Sequence, residues 1–169
     1  VDAQFLYGAP GAGLPVEGEA RLQVDPNPFP GSQGFRFGRA DEAITDQFIP
    51  LTPTVTDAAG RAALVFGLDN APDTSLPLRA RVTATVSDPG GRTVRQGLDV
   101  PVRLSGLYLG VRPRFENDVV RENAGAEFDV IAVDPTGARS AARGVLWRLV
   151  EEDWSYDWYP QDGECRWRR

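Results

Sequence analysis

The stretch from Val16 to Val24 limits the fold more tightly than any other part of the chain. Val16, Gly18, Ala20, Leu22 and Val24 fall on one face, and Glu17, Glu19, Arg21 and Gln23 on the other. Successive side chains of an extended strand point to opposite sides, so this alternation describes a sheet with one dry and one wet face. A helix, with its 3.6-residue period, cannot sort residues that way. The rhythm returns at Ala80, Val82, Ala84 and Val86, set against Arg79, Arg81, Thr83 and Thr85. It returns again at Val94, Gln96, Leu98, Val100, Val102 and Leu104, set against Arg95, Asp99 and Arg103. These strands are expected to form the core of a first module.

The connections are of one kind. An acidic residue followed closely by glycine recurs at Thr56–Arg61, at Ser87–Arg92 and at Val133–Arg139. The acid accepts local backbone hydrogen bonds and the glycine can take positive φ, so each reads as a β-hairpin turn. The first leads into Ala62 to Leu68, the second into Val94 to Leu104, and the third toward Val145. Phe48 to Val55 is extended and punctuated by proline, which suits an edge strand. Between Asp25 and Ile44 the chain is irregular, with three prolines in DPNPFPG and three rings at Phe29, Phe35 and Phe37. That is too apolar for a solvated linker. It is expected to be an Ω-like loop pinned onto the sandwich by its rings, with a partner-binding loop as the alternative.

A boundary falls near Ser105-Gly106. Beyond it Leu107, Leu109, Val111 and Phe115 line one face of a new strand, Ala126 to Val133 makes another, and Gly144 to Glu151 a third. The expected architecture is all-β, with antiparallel β-sandwich modules of immunoglobulin-like type in tandem. Residues 1–104 form the first. Residues 105–169 form the second. It has only about 65 residues, against about 100 for a typical sandwich, so it is expected to be truncated or completed by further sequence.

The end of the chain is aromatic. A connection at Pro160-Gln161-Asp162-Gly163 would set Trp158 opposite Cys165, Tyr156 opposite Trp167 and Trp154 opposite Arg169, with Asp157 facing Arg166. Trp154, Tyr156, Trp158, Cys165 and Trp167 then share a face that core packing explains, and a stacking platform for sugars is the alternative. Glu151-Glu152-Asp153 reads as a solvated strand end.

Composition excludes several kinds of function. The 169 residues carry a net charge of -6, which disfavours binding to nucleic acid or to an anionic membrane surface. All cationic side chains are arginine, a bias that a GC-rich genome produces without functional cause. There is no histidine, hence no usual general base and no Ser-His-Asp or Cys-His centre. One cysteine, Cys165, allows neither an internal disulfide nor a thiolate-rich metal site, and it lacks a histidine to activate it. Asp41-Glu42 with Asp46 lacks the ligand spacing of a calcium loop, and Gly8, Gly11 and Gly13 miss the dinucleotide spacing. No catalytic, cofactor-binding or metal-binding residue is singled out, and no enzyme is expected. Neither a membrane span nor a signal peptide is present. The chain starts at Val1 and ends on a strand-like run, so it is expected to be a piece of something longer.

Three runs carry a family resemblance. FLYGAPGAGLPVEGEARLQV at Phe5–Val24 resembles the aromatic strand, Gly-Ala-Pro corner and V-x-G strand of a macroglobulin-like domain from the bacterial alpha-2-macroglobulin family. FIPLTPTVTDAAGRAALVFGL from Phe48 resembles the strand–turn–strand next in such a domain. IAVDPTGARSAARGVLWRLVEEDWSYDWY from Ile131 is similar to the next such domain. The resemblance implies seven-stranded sandwiches in series within a protease-trapping inhibitor, and a first module, residues 1–104, that lacks the strand preceding the Phe5–Val24 run. It implies a periplasmic, lipid-anchored parent, protease partners, and for some members a link to a penicillin-binding peptidoglycan synthase. The family's thioester signature, C-x-E-Q, is absent, since Cys165 is followed by Arg166-Trp167-Arg168. No bait segment stands out. The chain is therefore expected to be non-catalytic scaffold, the rival being an Ig-like adhesion or carbohydrate-binding module of a cell-surface protein.

Overall fold

The computed structural model describes residues 1–115, 119–150, 157–161 and 164–168, the last two segments by their backbone alone. Among the described residues the elements are all strands: β1 (Pro15–Val24), β2 (Arg36–Phe37), β3 (Gln47–Pro50), β4 (Thr54–Val55), β5 (Leu78–Ser87), β6 (Thr93–Val102), β7 (Tyr108–Pro113), β8 (Phe128–Val133), β9 (Asp157–Gln161) and β10 (Glu164–Arg168).

The alternating stretch is the centre of the first sheet. Its order is β3-β1-β5-β6, and β4 also pairs with β1. β1 lies antiparallel to β5 from Val16↔Val86 to Val24↔Leu78, and β5 to β6 from Leu78↔Val102 to Ser87↔Thr93. The period-two pattern puts Val16, Ala20, Leu22, Leu78 and Ala80 on the dry side, where all five are buried. Ile44, Phe66, Leu68 and Leu76 pack over Leu22, Leu78, Ala80 and Val102. The proline-punctuated stretch forms the edge strands β3 and β4, as its composition requires.

Residues 62–68 differ from expectation, because they join no ladder. They cross the sheet as irregular chain, with Leu64, Phe66 and Leu68 half-buried and Val65 exposed between them. Their alternation reports an extended backbone pressed on a surface, not a hydrogen-bonded neighbour. The Asp57 turn therefore closes locally without being the hairpin expected: Asp57 and Gly60 close it through the backbone, and the Asp57 carboxylate accepts from the amides of Ala59 and Arg61. The Asp88 turn joins β5 to β6 as a true hairpin. The Asp134 turn closes too, but among the described residues up to 150 the chain beyond it returns to β8 only through the Val133↔Arg139 bridge and the Ser140 amide on the Ala132 carbonyl. The apolar face of β6 is also more open than a core strand should be. Its covering layer stops short, leaving Val94 60% and Leu98 67% exposed.

The second sheet has the order β2-β7-β8. β7 runs antiparallel to β8 from Tyr108↔Val133 to Pro113↔Phe128, and β2 adds on the other edge through Arg36↔Val111 and Phe37↔Gly110. A strand from the irregular region before β3 thus belongs to the sheet beyond the boundary. One face of this sheet, with Tyr108 and Val133, is buried against Phe29. The other carries Leu109, Val111, Phe128 and Val130, all substantially exposed.

Two expectations near the end are corrected. Residues 144–150 form no strand; Leu146, Trp147 and Leu149 project into solvent, and no ladder partner lies beside them among the described residues. The aromatic hairpin forms in a different register. Trp158 pairs with Trp167, Cys165 with Pro160 and Asp157 with Arg168, a slip of two positions from the expected pairing. Ladder pairing continues to Glu164↔Gln161, leaving only residues 162–163 between the strands. Asp-Gly is the pair best suited to a two-residue hairpin, so the expected four-residue connection is too wide. The pairings read for Trp154, Tyr156 and Arg169, the Glu151-Glu152-Asp153 set, the shared aromatic face and the Cys165 thiol lie outside the described residues.

Candidate functional site

Among the described residues, no group of three or more His, Cys, Asp or Glu side chains stands close enough to hold a metal ion. The acids of the 41–46 stretch go to separate partners. Asp41 pairs with Arg39 and Arg148, Asp46 with Arg21, and the Glu42 carboxylate accepts from the amide and hydroxyl of Ser75. The Arg39 hydrogen bond lowers the pKa of Asp41, and the Ser75 hydroxyl does the same for Glu42. Depressions on the surface are open. One, of about 380 Å³, lies between Gln47–Pro50 and Gly67–Asn70, and the lone carboxylate on its wall is Asp69.

What the structure does build is a seam between the two sheets, and residues 25–38 make it. Asp25 caps the turn after β1 and accepts from Arg103, which comes just after β6; the pair stands 2.8 Å apart with both side chains about nine-tenths buried. The same guanidinium donates to the carbonyls of Leu78, Val102 and Pro28. Its cation lies 5.0 Å from the centre of the Phe29 ring, while its Nε is buried without a hydrogen-bond partner. A ring face stabilises a desolvated cation, which offsets part of that loss.

Phe29 then turns to the second sheet. Its ring sits 4.8 Å from Phe37 in an edge-on contact and 5.5 Å from Tyr108. Edge-to-face and tilted pairs at these separations add about 0.5–1.5 kcal/mol each beyond area burial. Phe37 can lie over β7 only because position 110 is glycine: a Cβ there would stand 2.7 Å from the Phe37 ring. Tyr108, buried to 2%, places its hydroxyl to accept from the Ser105 amide, which fixes the chain at the junction. Phe35 lies under two cations, Arg112 at 4.5 Å and Arg139 at 5.5 Å. Arg112 also binds Asp129 across the β7–β8 ladder, with Arg114 on the other carboxylate oxygen. These two hydrogen bonds, Arg112 first, pull the Asp129 pKa below the usual carboxylate range, and Asp129 raises that of Arg114.

The three phenylalanines are anchors, as their sequence context suggests, but the surface they grip is not the expected one. The sequence implies a loop folded onto its own sandwich; the observed loop reaches across to the next sheet. The Arg103 hub has no signal in the sequence, since its partners lie up to 78 residues away.

The fold defines a class: antiparallel β-sandwich modules of macroglobulin-like type in tandem. The family models agree. A model described as the bacterial alpha-2-macroglobulin MG5 domain matches residues 1–103, and one described as bacterial macroglobulin domain 6 matches residues 110–169. The chain belongs to the bacterial alpha-2-macroglobulin family. It is 28% identical over 167 residues to an alpha-2-macroglobulin of Xylella fastidiosa, which takes in 98% of this chain and 10% of the relative. The native E. coli alpha-2-macroglobulin solved by cryo-EM shares its fold with a TM-score of 0.76 at 22% identity, over 98% of this chain and 11% of that one. The trypsin-activated E. coli protein superposes with a TM-score of 0.64 at 23% identity, over 80% of this chain and 10% of that one. The chain spans about a tenth of the length of the relatives it matches.

Proposed function

We propose that this chain is a non-catalytic scaffold segment of a bacterial protease-trapping inhibitor. The observation that carries the reading is the match of a fifth and then a sixth macroglobulin domain along one continuous chain. Protease partners are supported by a relative whose trypsin-activated form has been solved. The absence of enzymatic activity in this segment is part of the same reading, supported by a sequence without histidine and by the lack, among the described residues, of any metal-holding group of three or more acids or cysteines. A periplasmic, lipid-anchored parent and an association with a penicillin-binding peptidoglycan synthase rest on the family resemblance alone.

The division into residues 1–104 and 105–169 belongs to this proposal, with an opening strand of the first module supplied from outside it. The open apolar face of Leu109, Val111, Phe128 and Val130 supports the idea that further polypeptide completes the second sandwich.

The test is direct. The full-length gene product is incubated with trypsin, and residual activity is read on a large protein and on a small chromogenic peptide. Trapping predicts loss of activity on the large substrate with peptide cleavage retained. Equal activity on both, with and without the inhibitor, overturns the reading.

A further inference from the structure

We propose that residues 25–38 are a strap by which the first module supplies one covering face of the second, setting both the stability of the β7–β8 sheet and its orientation. Three observations point the same way. β2 lies between β1 and β3 in sequence, yet its ladder partner is β7. The cluster that buries Tyr108 and Val133 takes Phe29 and Phe37 from the strap. A six-residue strand pair on its own is marginal in water, so the face these rings cover is a large part of what holds β7 to β8.

The strap is anchored at both ends and bent to reach. At its start Arg103 ties Asp25 and the Pro28 carbonyl to the last residues of β6 and to Leu78 of β5. At its far end Gly38 has a φ of +84, and the adjoining Arg39 amide donates to the Ser75 hydroxyl. Both anchors flank the first sheet, Arg103 directly after β6 and Ser75 three residues before β5. Between them the rings reach the second: Phe29, which also lies against Arg103, packs with Phe37 on Tyr108, Val133 and Ile131, and Phe35 lies against Arg112 and Arg139. A segment fixed at both ends to one body, with its apolar side chains spent on another, transmits position between them. The inference holds whether or not the full-length protein traps proteases.

Hydrogen exchange on the 169-residue chain tests it, with Phe37→Ala and the milder Phe35→Ala compared with the unsubstituted chain. The strap predicts that β7 and β8 amides exchange at least tenfold faster in Phe37→Ala, and severalfold faster in Phe35→Ala. Amides of β1 and β5 should stay within twofold, which also shows that the variants fold. Unchanged β7–β8 rates, or an equal rise in β1 and β5, overturn the strap. Orientation is read separately by electron-spin distance between labels at Gln96→Cys and Ala138→Cys in a Cys165→Ser background. The distance distribution should at least double in width in Phe37→Ala; an unchanged width overturns the claim on orientation.

Discussion

The Asp25 carboxylate and the Arg103 guanidinium meet at 2.8 Å across 78 residues of sequence, with side-chain exposures of only 12% and 10%. A pair held that far from solvent behaves unlike the surface arginine pairs elsewhere in this chain. Removing one partner strands the other charge, which costs about 3–5 kcal/mol. Arg103→Ala is expected to lower unfolding stability by about 3 kcal/mol, as it also releases three carbonyls. Urea titration checks this. A cycle with Asp25→Ala should give a coupling of about 1–3 kcal/mol, since each single change already breaks the same contact.

The dry and wet faces of the first sheet make a second prediction. Leu22 is 1% exposed in the cluster with Leu78 and Val102, so Leu22→Ala should cost about 3 kcal/mol. Leu98 lies on the same sheet but is 67% exposed, and Leu98→Ala should fall within about 0.5 kcal/mol of the unsubstituted chain. Both are apolar positions of alternating strands. Only the covering layer distinguishes them, and denaturation midpoints measure it.

Two glycines in the same kind of turn should respond differently. Gly60 and Gly91 both have a φ of +79. A Cβ at Gly91 meets nothing, so Gly91→Ala should cost only the conformational strain, about 1 kcal/mol. A Cβ at Gly60 would lie 2.3 Å from the carbonyl oxygen of Ala3, which is backbone and cannot swing aside. Gly60→Ala should cost at least twice as much and loosen residues 1–4. Thermal melts of the two variants, run side by side, decide it.

Acid sensitivity arises from the turn and ladder carboxylates. The amide of Arg61 holds the pKa of Asp57 down, the Thr136 hydroxyl does so for Asp134, and Arg112 for Asp129. A folded pKa below the unfolded value means stability that is fully present above the ordinary carboxylate range. It is lost as pH falls through the folded values. Unfolding stability should therefore hold down to about pH 5 and decline below about pH 4. Asp57→Asn and Asp129→Asn should each flatten that decline in pH-dependent urea titrations. A steeper decline in either variant would contradict the assignment.

How much of this was legible depended on the range of the interaction. The β1 alternation and the Asp88 turn are local patterns, and both strands of the β5–β6 hairpin come from them. Residues 62–68 carried the right period but no partner, because alternation records an extended backbone on a surface and is silent on pairing. The strand at β2 is two residues long, too short for any period. Its pairing with Gly110 depends on a missing side chain 73 positions away, which no window of neighbouring residues can show. Arg103 reads in sequence as one more wet-face charge after Arg95 and Asp99. Its burial appears only when the strap closes over it. The family resemblance, by contrast, was legible from the Phe5–Val24 run because that run combines a corner and a strand in fixed order.

The account stands most directly on the pairing of Phe37 with Gly110 and of Arg36 with Val111. Solution NMR of the chain reads it from cross-strand proton contacts. Backbone Hα and amide contacts between residues 36–37 and 110–111 are predicted, together with ring-proton shifts at Gly110 from the Phe37 ring. Residues 36–37 with contacts only to the first sheet, and β7 with contacts only to β8, would contradict it.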